Sequence, residues 1–166
     1  MLVFILELLF LVTLGAIVFE DFAERRIHLF LFLIGYILTV MLTLKKGMHI
    51  EFLIVNFLFV VINIVAILGY CFIKKQQIKV ASEWVGLGDI LMWGMLIFYF
   101  SPFNFILFFI ISLFLSLLTY FLFFRKKNAM LPLAGNQALC LFLVLLGDLY
   151  GMEFSLYSDD FFMMGF

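Results

Sequence analysis

Charge is scarce in this chain of 166 residues: Asp, Glu, Lys and Arg make up 13% of it, against roughly 25% in soluble domains. The charge that exists falls in short clusters between long apolar runs. Hydrophobic residues reach 67% and aromatics 20%, with a mean hydropathy of +1.29. A water-soluble fold of this composition would expose large apolar patches, so a soluble domain is excluded. Apolar and polar residues do not alternate in the way a membrane β-barrel requires. Cysteine is almost missing. Cys71 and Cys140 lie far apart in apolar segments and form no C-x-x-C pair, so neither a zinc site nor a disulfide framework is indicated. Nothing resembles a Ser/His/Asp triad, a P-loop or H-E-x-x-H, and there is no low-complexity linker or obvious repeat. A basic n-region and an A-x-A-like cleavage site are lacking at the start, so the first apolar run reads as a retained helix.

What is present is a succession of six apolar runs, each of the order of the ~20 residues that cross a bilayer. They fall at about 1–19, 28–44, 52–73, 84–100, 104–124 and 129–147. The expectation is an all-α, polytopic membrane protein with six transmembrane helices. The membrane domain covers 1–147, and an acidic, aromatic tail at 148–166 lies at an interface. "SPFN" at 101–104 reads as a tight turn with Pro102 as the breaker.

Basic residues set the expected orientation. The loops after spans one, three and five hold Arg25, Arg26, Lys74, Lys75, Lys79, Arg125, Lys126 and Lys127, while the loop after span two holds only Lys45 and Lys46. The positive-inside rule puts the odd loops in the cytoplasm and both termini outside. Asp21, at the end of span one, and Asp89, near the start of span four, then lie at the same cytoplasmic face.

A carboxylate in the hydrocarbon region costs several kcal/mol unless paired or wetted, and so marks a functional candidate. Asp89 stands about five residues into its span, roughly 7 Å along a helix. Gly86 and Gly88 before it would permit broken backbone or close approach of another segment. The plainer reading makes Asp89 a helix N-cap. Asp21 has a plainer reading too, as a solvated boundary residue among Glu20, Glu24, Arg25 and Arg26. Glu20 and Asp21 point about 100° apart on a helix, so only one can face the bundle interior. Glu7 is about 21 Å from Asp21 along a helix; it belongs near the outer face, where snorkelling or an interhelical bond would satisfy it. Asn56, Asn63, Asn136 and Gln137 read chiefly as interhelical glue. His28 and His49 sit at interfaces, with no metal site implied.

Two carboxylates on one side of a helix bundle point to a particular chemistry. Close together they share a proton. The ionised member takes a proton from water while the protonated member polarises a peptide carbonyl. That hydrolyses an amide with no metal, nucleophilic side chain or cofactor.

These residues also carry a resemblance. "GLGD" at 86–89 resembles the G-x-G-D motif of membrane aspartic proteases, and "DFAERRI" at 21–27 resembles the D-x-x-x-x-R-I segment of type IV prepilin peptidases. "MLPLAGNQAL" at 130–139 resembles the Pro-containing start of that family's last helix. The resemblance implies Asp21 and Asp89 as the catalytic pair, supported by Gly86, Gly88, Arg26 and Ile27, with Arg25, Pro132, Asn136 and Gln137 as secondary site residues. It implies a prepilin- or pseudopilin-like substrate with a short basic leader before an apolar helix, cut on the cytoplasmic side of the inner membrane. No metal, cofactor or nucleic acid is implied as a partner. The chain departs from the family at His28 and Leu29, where I-P-N often continues, and at Leu91, often Lys. Larger members carry a domain with paired C-x-x-C motifs and also N-methylate the product; here the peptidase activity alone is expected. The alternative is a proton- or ion-coupled transporter or channel subunit that uses the same aspartates as relays.

Overall fold

Apolar residues at helical spacing form a helix in every long described segment of the chain. A computed structural model describes residues 2–24, 26–47, 49–73, 86–124 and 133–150. Its helices are α1 (Leu2–Ala23), α2 (Leu29–Lys46), α3 (Ile50–Ile73), α4 (Leu87–Ile97), α5 (Pro102–Thr119) and α6 (Leu133–Leu149), with one π turn, Tyr120–Phe124, continuing α5. The described residues contain no strand, and the all-α class stands. Four helices, at Leu2–Ala23, Leu29–Lys46, Ile50–Ile73 and Pro102–Leu122, are long and apolar enough to cross a membrane. The two others are shorter, at 11 and 17 residues, so six full crossings do not follow from the helix lengths. The outward surface is apolar: Val12, Phe19, Leu44, Phe72 and Phe114 are all exposed. That is a surface for lipid rather than water.

Expected helix edges shift in two informative places. Span one continues four residues beyond 19, through Glu20 and Asp21, because Asp21 is held by a contact from α6 described below. Span four is far shorter than 84–100. At 11 residues and about 1.5 Å rise each, α4 is only about 16 Å long. It ends inside the bundle, where unpaired carbonyls are expensive. Side chains from two neighbouring helices satisfy them. Asn56 of α3 donates from Nδ2 to the Ile97 carbonyl (3.1 Å) and the Phe100 carbonyl (2.7 Å), and the Thr43 hydroxyl of α2 donates to the Phe98 carbonyl. Asn56 is therefore the interhelical glue expected of it. Asn63 is not: its Nδ2 donates to the Phe59 carbonyl of its own helix, 2.8 Å away. Ser101 then caps α5, with Pro102 in the first turn, where its missing N–H costs nothing.

The core lies where α1, α2, α4, α5 and α6 meet, around Phe10, Leu14, Ile17, Leu42, Met92, Met95, Leu96, Tyr99, Phe105 and Leu141. α1 packs most extensively on α6, then on α2, while α4 is held by α2, α3 and α6. The α2–α4 approach is close. A Cβ on Gly94 would lie 1.9 Å from the Tyr36 hydroxyl, and one on Gly35 would lie 2.5 Å from Met95 Sδ. The Tyr36 hydroxyl donates to the Leu91 carbonyl at 3.0 Å. Glu7 pairs with Lys46 Nζ at 2.6 Å, tying the start of α1 to the end of α2. This interhelical ion pair answers the expectation that Glu7 is satisfied away from Asp21.

Candidate functional site

The last turn of α1 delivers Asp21. Its buried stripe runs Leu6, Phe10, Leu14, Ile17, Asp21 at intervals of three and four, the spacing that keeps residues on one helix face. Asp21 therefore continues the core-facing row, and its residue exposure is 9%. Glu20, about 100° away, turns outward. Its carboxylate accepts the His28 backbone N–H at 2.8 Å and lies 2.8 Å from His28 Nδ1. Of the adjacent acids, Asp21 is therefore inside, and Glu20 closes the α1–α2 turn.

Asp89 comes from the first turn of α4. Gly86 is the N-cap and Asp89 the third helical residue, so the carboxylate stands at the helix start rather than five residues into it. Its Oδ2 accepts the Gly86 N–H at 2.9 Å, the half of a capping box that an acidic residue supplies. Its Oδ1 accepts a second N–H, from Ala134 of α6, at 2.8 Å. Asp89 is likewise 9% exposed. Its capping role is real, yet it occupies only one of the two oxygens.

The residues that join the two acids are Ala134 and Gly135. The first N–H groups of a helix have no intrahelical partner, and the helix dipole favours anions there. Ala134 gives its N–H to Asp89, and Gly135 gives its N–H to Asp21 Oδ2 at 2.5 Å. Adjacent amides are only about 3 Å apart, so the two accepting oxygens lie within about 8 Å of each other. Gly135 is sterically required: a Cβ there would sit 2.6 Å from Asp21 Oδ2 and 2.8 Å from Asp21 Cβ.

The motif glycines behave differently from expectation. Gly86 has ordinary extended backbone, φ −68° and ψ 157°, and the positive-φ glycine of the described residues is Gly47. A Cβ on Gly86 would come within 3.4 Å of Asp89 Oδ2, and one on Gly88 would come no nearer than 3.6 Å, to Ile27 Cδ1. Against the described residues, neither position breaks the backbone or forbids a small side chain. Ile27, half-buried, packs beside Gly88, whereas Arg26 is exposed. Arg25 and Pro132 lie outside the described residues.

Asn136 and Gln137 are buried but do not reach the carboxylates by any bond in the structure. Asn136 Nδ2 donates to Thr119 Oγ1 at 3.1 Å, and Gln137 Nε2 lies 3.5 Å from Ser112 Oγ, both on α5. Among the described residues no three His, Cys, Asp or Glu side chains converge as a metal-ligand set. Sequence reasoning overlooked Ala134 and Gly135 as donors, although a signal was there. The residue before Leu133 in the sequence is Pro132 rather than Ser, Thr, Asp or Asn, so the first amides of the helix need acceptors from elsewhere. Compared with protein-family models, curated proteins and solved structures, the chain matches none.

Proposed function

We propose that this chain is a membrane aspartic endopeptidase with Asp21 and Asp89 as its catalytic pair. Its substrates are prepilin- or pseudopilin-like proteins, whose basic leader it removes at the cytoplasmic face of the inner membrane. One observation carries the reading: two buried carboxylates from helices distant in sequence converge on consecutive backbone amides of α6. The likeness of "DFAERRI" and "GLGD" to prepilin peptidase segments supplies the substrate class.

In the proposed reaction the pair holds one proton between its two carboxylates. The ionised carboxylate takes a proton from water as the water oxygen bonds to the scissile carbonyl carbon. The protonated carboxyl donates to the carbonyl oxygen as negative charge develops there. Collapse of the tetrahedral intermediate breaks the C–N bond, and the proton taken from water passes to the leaving amine. As the carbonyl re-forms, its hydroxyl returns the other proton to the second carboxylate, which restores the shared proton. The α6 amides contribute by fixing the carboxylates in advance, so that little reorganisation accompanies the movement of charge.

The test is co-expression with a leader-bearing prepilin. Asp21→Asn and Asp89→Asn each abolish processing while the protein still accumulates in the membrane. Continued processing by either variant overturns the assignment of that residue. A transporter or channel using the same aspartates would instead lose a pH-dependent flux in these variants and never process the leader.

A further inference from the structure

Beyond the aspartate pair, a buried polar stripe lies between α5 and α6. Ser112 and Ser116 are fully buried on α5, and Asn136 and Gln137, at 3% and 0% exposure, face that helix from α6. The two α6 residues directly follow Ala134 and Gly135, the donors to Asp89 and Asp21. We infer that Asn136 and Gln137 are positioning residues, locking the first turn of α6 against α5 so that the two amides stay aimed at the two carboxylates. The kinetic consequence rests on the catalytic reading above; the geometric one does not.

The α5 hydroxyls are oriented for this task. Thr119 donates its own O–H to the Ser116 carbonyl (2.8 Å), and Ser112 donates to the Phe109 carbonyl (3.0 Å). Each hydroxyl proton is committed to its own helix, leaving a lone pair toward α6 as a directional acceptor. The two acceptors are seven residues apart, about 10 Å along α5, whereas the two amide side chains are neighbours on α6. Attachments that diverge in this way restrain both sliding and rotation of the turn. Gly135 meanwhile rests on Asp21 of α1 from another side, so the turn is held between two helices.

Cohesion alone does not account for the stripe. Ser116 Oγ and Gln137 Oε1 are buried without a hydrogen-bond partner among the described residues, and unsatisfied buried polar groups disfavour the folded state. Apolar side chains would join α5 to α6 without that penalty. Direction is what the polar residues add.

The experiment uses the purified full chain and two readouts, kinetics on a leader-bearing substrate and the rate of carbodiimide labelling at Asp21 and Asp89. Asn136→Leu and Gln137→Leu are each expected to lower kcat by up to about 100-fold, the loss that a 1 Å misplacement of catalytic groups produces, with KM little changed. Carbodiimide should label the aspartates several-fold faster. Exchanging the partners, Asn136→Thr with Thr119→Asn, restores the bond in reverse and should recover both readouts. Unchanged kcat and unchanged labelling overturn the proposal. So does a loss of activity that merely follows loss of folded protein and is not recovered by the exchange. If the wild-type chain cleaves no leader-bearing substrate, the catalytic reading fails, and the labelling result still decides whether Asn136 and Gln137 position the pair.

Discussion

Gly135→Ala is the smallest change that strikes the candidate site without touching a carboxylate. The added Cβ would lie 2.6 Å from Asp21 Oδ2, 2.8 Å from Asp21 Cβ and 3.1 Å from Asp21 Cγ. Carbon–carbon contacts are optimal at about 3.5–4.0 Å, so α1 and α6 must separate by about 1 Å or the carboxylate must swing off the amide. Overpacking of this kind costs about 1–3 kcal/mol, and losing a hydrogen bond to a charged acceptor costs about 1.5–3 kcal/mol. A 1 Å misplacement in a catalytic group lowers rate by about 100-fold. The assay is cleavage of a leader-bearing substrate by the purified variant, with Tm measured on the same sample. Gly15→Ala is the control on the same α1–α6 interface, because its Cβ would meet Phe142 Cε2 at an ordinary 3.9 Å. The expected result is a loss of about 100-fold for Gly135→Ala and near-wild-type behaviour for Gly15→Ala. Full activity at unchanged Tm in Gly135→Ala would refute the reasoning.

Other outcomes follow from the same geometry. Glu20→Gln should retain cleavage where Asp21→Asn loses it, because Glu20 faces His28 and not the pair; equal loss in both would reverse the choice between the acids. Asn56→Leu leaves the Ile97 and Phe100 carbonyls without their side-chain donor and should destabilise the fold by about 1–3 kcal/mol, read as a lower midpoint of denaturant unfolding. An unchanged midpoint would mean that the break after α4 is satisfied another way. Gly94→Ala should destabilise strongly because of the Tyr36 hydroxyl 1.9 Å from its Cβ, and Tyr36→Ala should relieve part of that loss. Strict additivity in this double-mutant cycle would place the clash elsewhere.

Much of this arrangement can be read in the residues themselves. Hydropathy marks the helices, since a lipid-facing surface demands long apolar runs. Spacing alone does not choose between Asp21 and Glu20; the resemblance prefers Asp21, and the structure sets it on the buried row of Phe10, Leu14 and Ile17. The length of α4 is not legible in the sequence. "GLGDILMWGMLIFYFSP" is apolar throughout, and its helix stops at Ile97 because Asn56 and Thr43 satisfy the free carbonyls from distant parts of the chain. Polar residues on other helices decide that boundary. The glycines teach a related lesson. Gly86 and Gly88 draw the eye as a motif, yet among the described residues the steric demand falls on Gly135, whose neighbour Asp21 comes from the other end of the sequence. Asn63 and Asn136 look alike as polar residues in apolar runs. One bonds its own helix turn and the other bridges to α5, a difference fixed by which face each presents.

The central claim is that two carboxylates held by adjacent α6 amides cut a peptide bond. Its most direct measurement is mass spectrometry of a leader-bearing prepilin incubated with the purified, bilayer-reconstituted chain, run beside Asp21→Asn and Asp89→Asn. The account predicts a single cut ahead of the apolar helix with the unaltered chain and none with either variant. An intact substrate with the unaltered chain, or equal cutting by all three proteins, would contradict it.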